Sequence, residues 1–198
     1  TEKCLAPENA IAENPTLTSI ELSWDNPSGA TQWEIEIVSD QGIPTGAGQV
    51  YNGSLPYIPT LAENTKYKYY VRAICPLGGK SPWTNPVFFK TARRGDSCAA
   101  PIVVNSLPYG NADDTKDAAN NFTGGPGSTC GTPDWVDFIN GNDVVYTYTP
   151  AVDETIIIRA ASLSNNAAGI YVYDSCAGIG AACIAADYND GTVDDLVV

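Results

Sequence analysis

The sequence predicts an all-β protein built from two tandem β-sandwich domains. Short runs of alternating apolar and polar residues recur along the chain with Gly-, Pro- and Asn-rich turns between them. This pattern is typical of half-buried antiparallel strands, and no stretch of the sequence has the periodicity of a helix. The motif Cys4-Leu-Ala-Pro7 returns as Cys98-Ala-Ala-Pro101, which indicates that a second domain begins at Cys98.

A short, polar, Gly-containing stretch separates the two domains, as expected of a surface connection between two separate cores. We therefore expect a first domain over residues 1–92, a linker over 93–97 and a second domain over 98–198. The sequence contains no Met and ends in the apolar run Leu196-Val197-Val198. We expect from this that it is covalently part of a longer polypeptide and that its second domain is truncated at the C-terminus.

The formal net charge of the 198-residue chain is −13, and this charge is unevenly distributed. Residues 1–92 contain nine acidic and six basic residues, a net charge of −3, whereas residues 93–198 contain fourteen acidic and four basic residues, a net charge of −10. An acidic surface disfavours nucleic acid and anionic membranes as partners. Because no run approaches the roughly 18 apolar residues of a membrane helix, we expect no membrane insertion.

Six cysteines at spacings unlike those of zinc-binding CxxC motifs, in a sequence without His, favour three disulfides over a metal site. Disulfides indicate an oxidising compartment, so we expect a secreted or cell-surface protein; buried free thiols in a cytosolic protein are the alternative. Six cysteines allow fifteen pairings. Pairing in chain order within each domain is the simplest of them, and it predicts Cys4–Cys75, Cys98–Cys130 and Cys176–Cys183.

Three runs in the first domain alternate strictly and are predicted as strands: residues 18–24, 31–39 and 67–75. Their apolar faces carry the predicted core residues, namely Ile20, Leu22, Trp24, Trp33, Ile35, Ile37, Tyr67, Tyr69, Val71, Ala73 and Cys75. The opposite faces carry polar residues such as Glu34, Glu36 and Arg72. A β-sandwich with these polar faces outward follows.

The first domain resembles a fibronectin type III domain over nearly all of residues 4–92. The resemblance rests on Trp24 at the end of a strand, on Leu61 six residues before Tyr67, on the Tyr-x-Tyr-x-Val-x-Ala strand that Tyr67 opens, and on the closing segment Trp83…Phe88-Phe89-Lys90-Thr91. It implies that Leu61 and Tyr67 form a tyrosine corner, in which the Tyr hydroxyl bonds to loop backbone. Fibronectin type III domains usually lack disulfides, so a Cys4–Cys75 bridge departs from their pattern.

Four aromatic residues of the first domain are candidates for stacking on sugar rings, because aromatic faces suit the apolar C–H surfaces of sugars. They are Trp83, Trp33, Tyr51 and Tyr57. The alternative is structural: Trp33 belongs to the core, and Trp83 covers the last strands and stacks on Arg72.

The linker contains Arg94-Gly95-Asp96-Ser97, the integrin-recognition tetrapeptide of animal fibronectin. Recognition of this kind needs Arg and Asp splayed from an exposed turn, with the Asp completing the partner's metal site. A disulfide at Cys98 would hold Asp96 close to the second domain and restrict that splay. We therefore interpret the tetrapeptide as part of a linker, with adhesion as the alternative.

Strands are predicted in the second domain at residues 102–107, 143–149, 155–161, 168–173 and 193–198, and a long loop-rich region at 108–142. The second domain resembles the prepeptidase C-terminal domains of secreted bacterial proteins. The motifs are Cys98-x-x-Pro, Leu107-Pro108-Tyr109, Asp113-Asp114-Thr115, Cys130-Gly131, Gly141-Asn142-Asp143-Val144-Val145-Tyr146 and Tyr171-Val172-Tyr173-Asp174-x-Cys176. The resemblance implies a jelly-roll-like sandwich that is commonly calcium-binding and not itself catalytic.

A Ca²⁺ site is predicted at Asp113, Asp114, Asn142 and Asp143, with Asp117 and Asn111 as secondary candidates. Ca²⁺ takes six to eight oxygen ligands, which carboxylates, Asn and backbone carbonyls in turns supply. The alternative is an Asx-rich turn in which Asp143 accepts bonds from backbone N–H groups.

The sequence predicts no enzyme. Without His, a Ser-His-Asp or Cys-His arrangement is impossible, and the Asp residues have no evident partners in a pocket. We expect a non-catalytic accessory segment of a secreted or cell-surface bacterial protein, acting as a spacer and binding an extracellular polysaccharide or protein surface. The alternatives are a stalk fragment of an adhesin with an RGD-bearing linker, and a fragment of a carboxylate-dependent hydrolase.

Overall fold

The structure, a computed structural model, describes residues 4–76, 78–123, 125–127, 130, 141–161, 168–188 and 196–197. The chain divides into two compact units, Thr1–Arg93 and Arg94–Val198, so the division falls inside the predicted linker. The described elements are strands and one 3-10 turn, Cys176–Gly178, which confirms the all-β class. Among the described residues, no helix is long and apolar enough to cross a membrane.

Among its described residues, the first unit contains six strands arranged in two sheets. They are β1 (Glu8–Glu13), β2 (Glu21–Asp25), β3 (Gln32–Ser39), β4 (Gln49–Tyr51), β5 (Lys66–Ile74) and β6 (Val87–Lys90). Strands β1 and β2 pair antiparallel, and the second sheet has the order β4-β3-β5-β6. Tyr57 adds an antiparallel bridge to Leu22 beside β2. The three strands predicted for this unit correspond to β2, β3 and β5.

The core of the first unit is built by the alternation along these strands. Its buried members are Ile20, Leu22, Trp24, Ala30, Trp33, Ile35, Tyr69, Val71 and Ala73. The hydroxyl of the fully buried Tyr69 donates to the carbonyl oxygen of Ile11 at 2.9 Å, which satisfies the one polar atom of this ring and ties β5 to β1. Burial raises the pKa of this hydroxyl, so it stays protonated and keeps the bond.

The tyrosine corner predicted from Leu61 and Tyr67 is present. The backbone N–H of Ala62 donates to the Tyr67 hydroxyl at 3.1 Å, and Leu61 packs against the core. Together with the two facing sets of strands, this corner gives the first unit a fibronectin type III-like fold. Cys4 and Cys75 are bonded, as the sequence predicted, and close a loop with a sequence separation of 71.

The second unit contains six short strands among its described residues. They are β7 (Ile102–Val104), β8 (Tyr146–Tyr148), β9 (Arg159–Ala160), β10 (Gly169–Tyr173), β11 (Cys183–Tyr188) and β12 (Leu196–Val197). They form three two-stranded sheets: β7 with β8 in parallel, β10 with β11 and β9 with β12 antiparallel. The described pairs do not test the jelly-roll-like sandwich, which stays a prediction.

One prediction of a strand in this unit is corrected, and one strand of the structure was missed. The β-branched run 155–161 forms only the two-residue strand β9, and Ile157 is exposed, because composition favours a strand but a strand also needs a neighbour to bond. Strand β11 was not predicted, although it pairs with β10 over Gly169 to Tyr173. Part of the 193–198 prediction lies outside the described residues.

Two of the three predicted disulfides are wrong. The second unit pairs Cys98 with Cys176 and Cys130 with Cys183, so both bridges lie within the unit but cross each other in sequence. In the β10–β11 hairpin Cys183 stands opposite Tyr173, while Cys176 lies in the turn that follows Tyr173. The two nearest cysteines in sequence are therefore not cross-strand neighbours, and each reaches a distant partner.

Candidate binding surfaces

Three of the four residues predicted to stack on sugar rings lie next to one another, beginning at the core: Trp33, Tyr51 and Tyr57. Trp33 is only 8% exposed and packs edge-on against Trp24, with ring centroids 5.7 Å apart. Tyr51 lies 6.4 Å from Trp33, and Tyr57 lies 4.7 Å from Tyr51. Trp33 is therefore a core residue, as the structural alternative had it. Tyr51 and Tyr57 are half-buried, and burial raises the pKa of Tyr57.

Trp83 lies on the outer face of the four-stranded sheet, where its ring stacks on the side chain of Arg72. The Arg72 guanidinium carbon lies 4.2 Å from the centre of the Trp83 ring, which is a cation–π contact. Arg72 also donates from Nε to Glu34 at 2.9 Å, and the Lys80 ammonium lies 2.6 Å from the same carboxylate oxygen. The hydrogen bond from Arg72 lowers the pKa of Glu34 to about 2, although burial opposes that change.

Glu34 and Glu36 were predicted to face solvent, but both are buried beneath the loop that joins β3 to β4. The Glu36 carboxylate accepts from the backbone N–H groups of Thr45 and Gly46, and Glu34 accepts from that of Gly48 at 3.0 Å. The loop crosses so close to β3 that a Cβ at Gly48 would lie 2.6 Å from the Ile35 carbonyl oxygen. These carboxylates therefore hold a loop in place and are already saturated with donors.

The predicted calcium residues organise the long loop of the second unit. Asp143 Oδ2 accepts from the backbone N–H groups of Asn121 and Phe122, each at 2.9 Å. The alternative prediction expected such bonds within an Asx-rich turn, but these donors lie 22 and 21 residues earlier in the chain. Burial raises the pKa of Asp143, and these two bonds oppose that change. Asn142 donates from its amide to the carbonyl oxygens of Thr115 and Lys116. Asp143 and Asn142, two of the six predicted calcium ligands, thus form hydrogen bonds with the backbone of residues 115–122.

The other predicted calcium ligands form separate hydrogen bonds with nearby groups. Asp113 accepts from the N–H of Asp114, Asp114 accepts from that of Lys116, and Asn111 donates to the Tyr146 hydroxyl. Asp117 also has an interaction partner. Within the part of the chain that the structure describes, no three Asp, Glu, His or Cys side chains stand close enough to hold a metal ion. Calcium binding here stays a prediction.

The RGD segment belongs to the second unit and is not an open linker. Gly95 is buried with φ +91°, its N–H donates to the Ala100 carbonyl and its own carbonyl accepts from Val145, both at 2.7 Å. The Asp96 carbonyl accepts from the Asn121 amide at 2.6 Å, and its carboxylate faces the N–H of Ala119 at 3.4 Å. Both the backbone and the carboxylate of the motif are thus engaged within its own unit.

Sequence reasoning missed a surface of three tyrosines in the second unit. Tyr109 and Tyr146 are each 44% exposed, with ring centroids 6.4 Å apart and planes at 69°. Tyr148 follows on β8 at the spacing that places alternate side chains on one face of a strand. We name Tyr109, Tyr146 and Tyr148 the tyrosine surface. The Tyr-x-Tyr alternation at 146–148 was visible in the sequence as a strand signal only.

Two polar side chains orient the rings of the tyrosine surface. The Asn111 amide donates to the Tyr146 hydroxyl at 3.1 Å, and the Tyr148 hydroxyl donates to the Glu154 carboxylate. The bond to Glu154 raises the pKa of Tyr148, because the carboxylate accepts the phenolic hydrogen. The surface therefore combines ring faces, hydroxyl groups, an amide and a carboxylate.

No protein-family model matches the sequence, and no curated protein matches it. Among solved structures, the chain is similar to the FN5 domain of Drosophila Lar, with 22% identity, 46% of this chain and 99% of that chain covered, and a TM-score of 0.38. It is similar to the fibronectin type-III domain of human fibronectin type III domain containing protein 3, with 27% identity, 46% and 89% covered, and a TM-score of 0.36. It is also similar to FN3tt, with 28% identity, 46% and 96% covered, and a TM-score of 0.38.

Proposed function

We propose that the protein is a non-catalytic accessory segment of a secreted or cell-surface bacterial protein, acting as a spacer and binding a neutral extracellular polysaccharide through the tyrosine surface. The observation that carries the proposal is the oriented, exposed pair Tyr109 and Tyr146. Three disulfides support an extracellular setting. The assignment to bacteria rests on the resemblance of residues 98–198 to prepeptidase C-terminal domains.

Sugar recognition combines two kinds of contact, and the tyrosine surface supplies both. Ring faces pack on the apolar C–H faces of pyranose rings, and a few placed polar groups bind the sugar hydroxyls. The Tyr146 hydroxyl accepts from Asn111, so its own hydrogen is available to a sugar oxygen. Residues 93–198 carry a net charge of −10, so anionic chains are repelled and a neutral polysaccharide is favoured at this surface.

Adhesion through Arg94-Gly95-Asp96 receives no support from the backbone geometry of that segment. Gly95 is buried, and a Cβ there would meet Val144 Cγ1 at 3.0 Å, so the glycine serves packing. The Asp96 carbonyl and carboxylate both accept hydrogen bonds within the second unit.

The test is binding of the whole chain to cellulose, chitin and xylan by depletion, and to soluble dextran by affinity electrophoresis. We expect at least one neutral polysaccharide to retain the protein, and Tyr109→Ala with Tyr146→Ala to weaken that binding at least tenfold. Phe88→Ala, which removes an exposed aromatic ring from the first unit, is the matched control and should bind as the parent does.

Three results would count against the proposal. The protein fails to bind every neutral polysaccharide, the double Tyr variant binds as tightly as the parent, or the protein releases reducing sugar ends from a bound chain. The last result would favour the hydrolase alternative. Circular dichroism of the double variant checks that its fold is intact.

A further inference from the structure

Two rings of the tyrosine surface face in different directions. The planes of Tyr109 and Tyr146 are inclined at 69° to each other, and their centroids are 6.4 Å apart. Each residue is 44% exposed, so both side chains are accessible to a ligand. The two rings therefore do not form a flat platform. We name Tyr109 and Tyr146 the angled pair.

The angle between the rings is held by contacts within the protein. Tyr146 lies on β8, opposite Ile102 of the neighbouring strand β7. The segment 109–111 contacts Tyr146 twice, through the Tyr109 ring and through the Asn111 amide, which donates to the Tyr146 hydroxyl at 3.1 Å. An edge-to-face contact at this distance is a favourable arrangement of two aromatic rings. Because strand and loop both hold Tyr146, a ligand does not have to order the pair when it binds.

A crystalline polysaccharide can use only one ring of the angled pair. Its ribbon-like chains lie side by side and present a flat surface of sugar C–H groups, and a ring that stacks on such a surface lies parallel to it. When either Tyr109 or Tyr146 is parallel to the surface, the other ring is inclined at 69° and cannot stack there. The angled pair therefore fits a flat surface poorly.

A dissolved chain can use both rings. Where successive sugars of a chain turn relative to one another, their C–H faces point in different directions. Such a chain can place one sugar against Tyr109 and another part of its surface against Tyr146, so both rings lose contact with water. The geometry of the pair thus favours a ligand that winds.

The Tyr146 hydroxyl favours the same ligand. It accepts from Asn111, so its own hydrogen is available to a sugar oxygen. In a crystalline polysaccharide the sugar hydroxyls are bonded to neighbouring chains, and a bond to the protein would have to replace one of those. In a dissolved chain they are bonded to water, which the tyrosine hydroxyl replaces without leaving a partner unbonded.

We infer that the angled pair binds single, dissolved chains of a neutral polysaccharide whose successive sugars turn, such as a β-1,3-glucan or a xylan, and does not bind crystalline polysaccharide. The inference rests on the proposed function, because it takes the tyrosine surface as the binding site. It adds the physical form and the chain shape of the ligand, which the proposed function leaves open.

The first test compares ligands of different form, using the whole chain. Soluble laminarin, a β-1,3-glucan, and soluble xylan are used in affinity electrophoresis, and crystalline cellulose and chitin in depletion. We expect at least one soluble chain to retain the protein and neither crystalline polysaccharide to deplete it. Laminarin and cellulose are both built from glucose, so a difference between them reports chain shape and form.

Two results of this test would overturn the inference in distinguishable ways. If crystalline cellulose or chitin depletes the parent but not the Tyr109→Ala, Tyr146→Ala protein, the inference is wrong and the proposed function stands. If no neutral polysaccharide binds, both are wrong.

The single variants Tyr109→Ala and Tyr146→Ala test whether one chain contacts both rings. Each should weaken binding to the soluble chain at least threefold, because each removes one of two contacts with the same ligand. Phe88→Ala, which removes an exposed ring from the first unit, should bind as the parent does. If one Tyr variant binds as the parent does while the other has lost binding, a single ring carries the binding. That result overturns the inference but not the proposed function.

Tyr146→Phe keeps both rings and tests the hydrogen bond. It should weaken binding to the soluble chain about threefold, whereas Tyr70→Phe, which removes a phenolic hydroxyl from β5 of the first unit, should bind as the parent does. Equal binding by these two variants would overturn the role inferred for the Tyr146 hydroxyl. Circular dichroism checks that each variant is folded.

Discussion

Glu34→Gln tests the ion pair that fastens the β3–β4 loop and the Arg72–Trp83 stack to the sheet. The substitution keeps the size of the side chain and removes its charge. Arg72 and Lys80 then lose their common anion, and the Gly48 N–H faces a neutral acceptor. We expect the first unit to be less stable at neutral pH while its fold is retained.

The magnitude follows from the pKa of Glu34, which is lowered from its ordinary 4.5 to about 2. Taken in full, that difference corresponds to about 3 kcal/mol of stability at pH 7. The side chain of Glu34 is 5% exposed but that of Lys80 is 46% exposed, so water screens part of the interaction. We therefore expect Glu34→Gln to lower the free energy of unfolding by about 2 kcal/mol.

The pH dependence has a definite sign. The pKa of Glu34 is lower in the folded than in the unfolded state, so its contribution is fully present above about pH 4.5 and is lost as the pH falls towards 2. The difference between parent and variant should thus be about 2 kcal/mol at pH 7 and close to zero near pH 2.

The assay is urea unfolding of the whole chain followed by Trp fluorescence, since Trp24, Trp33 and Trp83 lie in the first unit. Glu8→Gln removes the same charge from an exposed position on β1 and should change stability by less than about 0.5 kcal/mol. The reasoning is refuted if Glu34→Gln is as mild as this control at pH 7, or if its effect is the same at both pH values.

Four further predictions concern the loops and bridges. Gly48→Ala should destabilise the first unit by about 1–3 kcal/mol because of the 2.6 Å approach to Ile35, whereas Gly110→Ala, which meets nothing within 4 Å, should be neutral in the same urea assay. Asp143→Ala should lower the Tm with or without calcium, at a cost of about 1–3 kcal/mol for the backbone donors it leaves unbonded. Millimolar Ca²⁺ should raise the Tm of the parent over that in EDTA if the predicted calcium site exists, and equal melts would remove that site. Non-reducing peptide mapping should recover Cys98 linked to Cys176, and a peptide linking Cys98 to Cys130 would contradict the structure.

Strands β2, β3 and β5 of the first unit could be predicted because period-two alternation reports burial directly, whereas β1, β4 and β6 were not predicted. Leu22, Trp24, Tyr69 and Val71 are buried as their spacing required, and the Tyr67 corner follows from a six-residue separation within one turn. These features depend on residues close in sequence, which is the range over which a pattern carries information.

The faces of the same strands could not be assigned from alternation alone. Glu34 occupies an outward position on β3, yet the β3–β4 loop folds over it and supplies its donors. Whether an outward carboxylate meets water or a loop depends on the path of a segment with no periodicity of its own. The same holds for Lys66 and Lys90, which are distant in sequence and become neighbours only through strand register.

By itself the sequence determined the all-β class, the use of every cysteine in a disulfide, the acidic charge and the tyrosine corner, because each follows from composition or from local spacing. Tertiary structure decided the partners of Cys98 and Cys130, the burial of Gly95 in the RGD segment and the assembly of the tyrosine surface from Tyr109 and Tyr146. Each of these joins residues about 35 or more positions apart, or depends on how a loop returns to the sheet. Chain topology selects such contacts from many that the sequence allows equally.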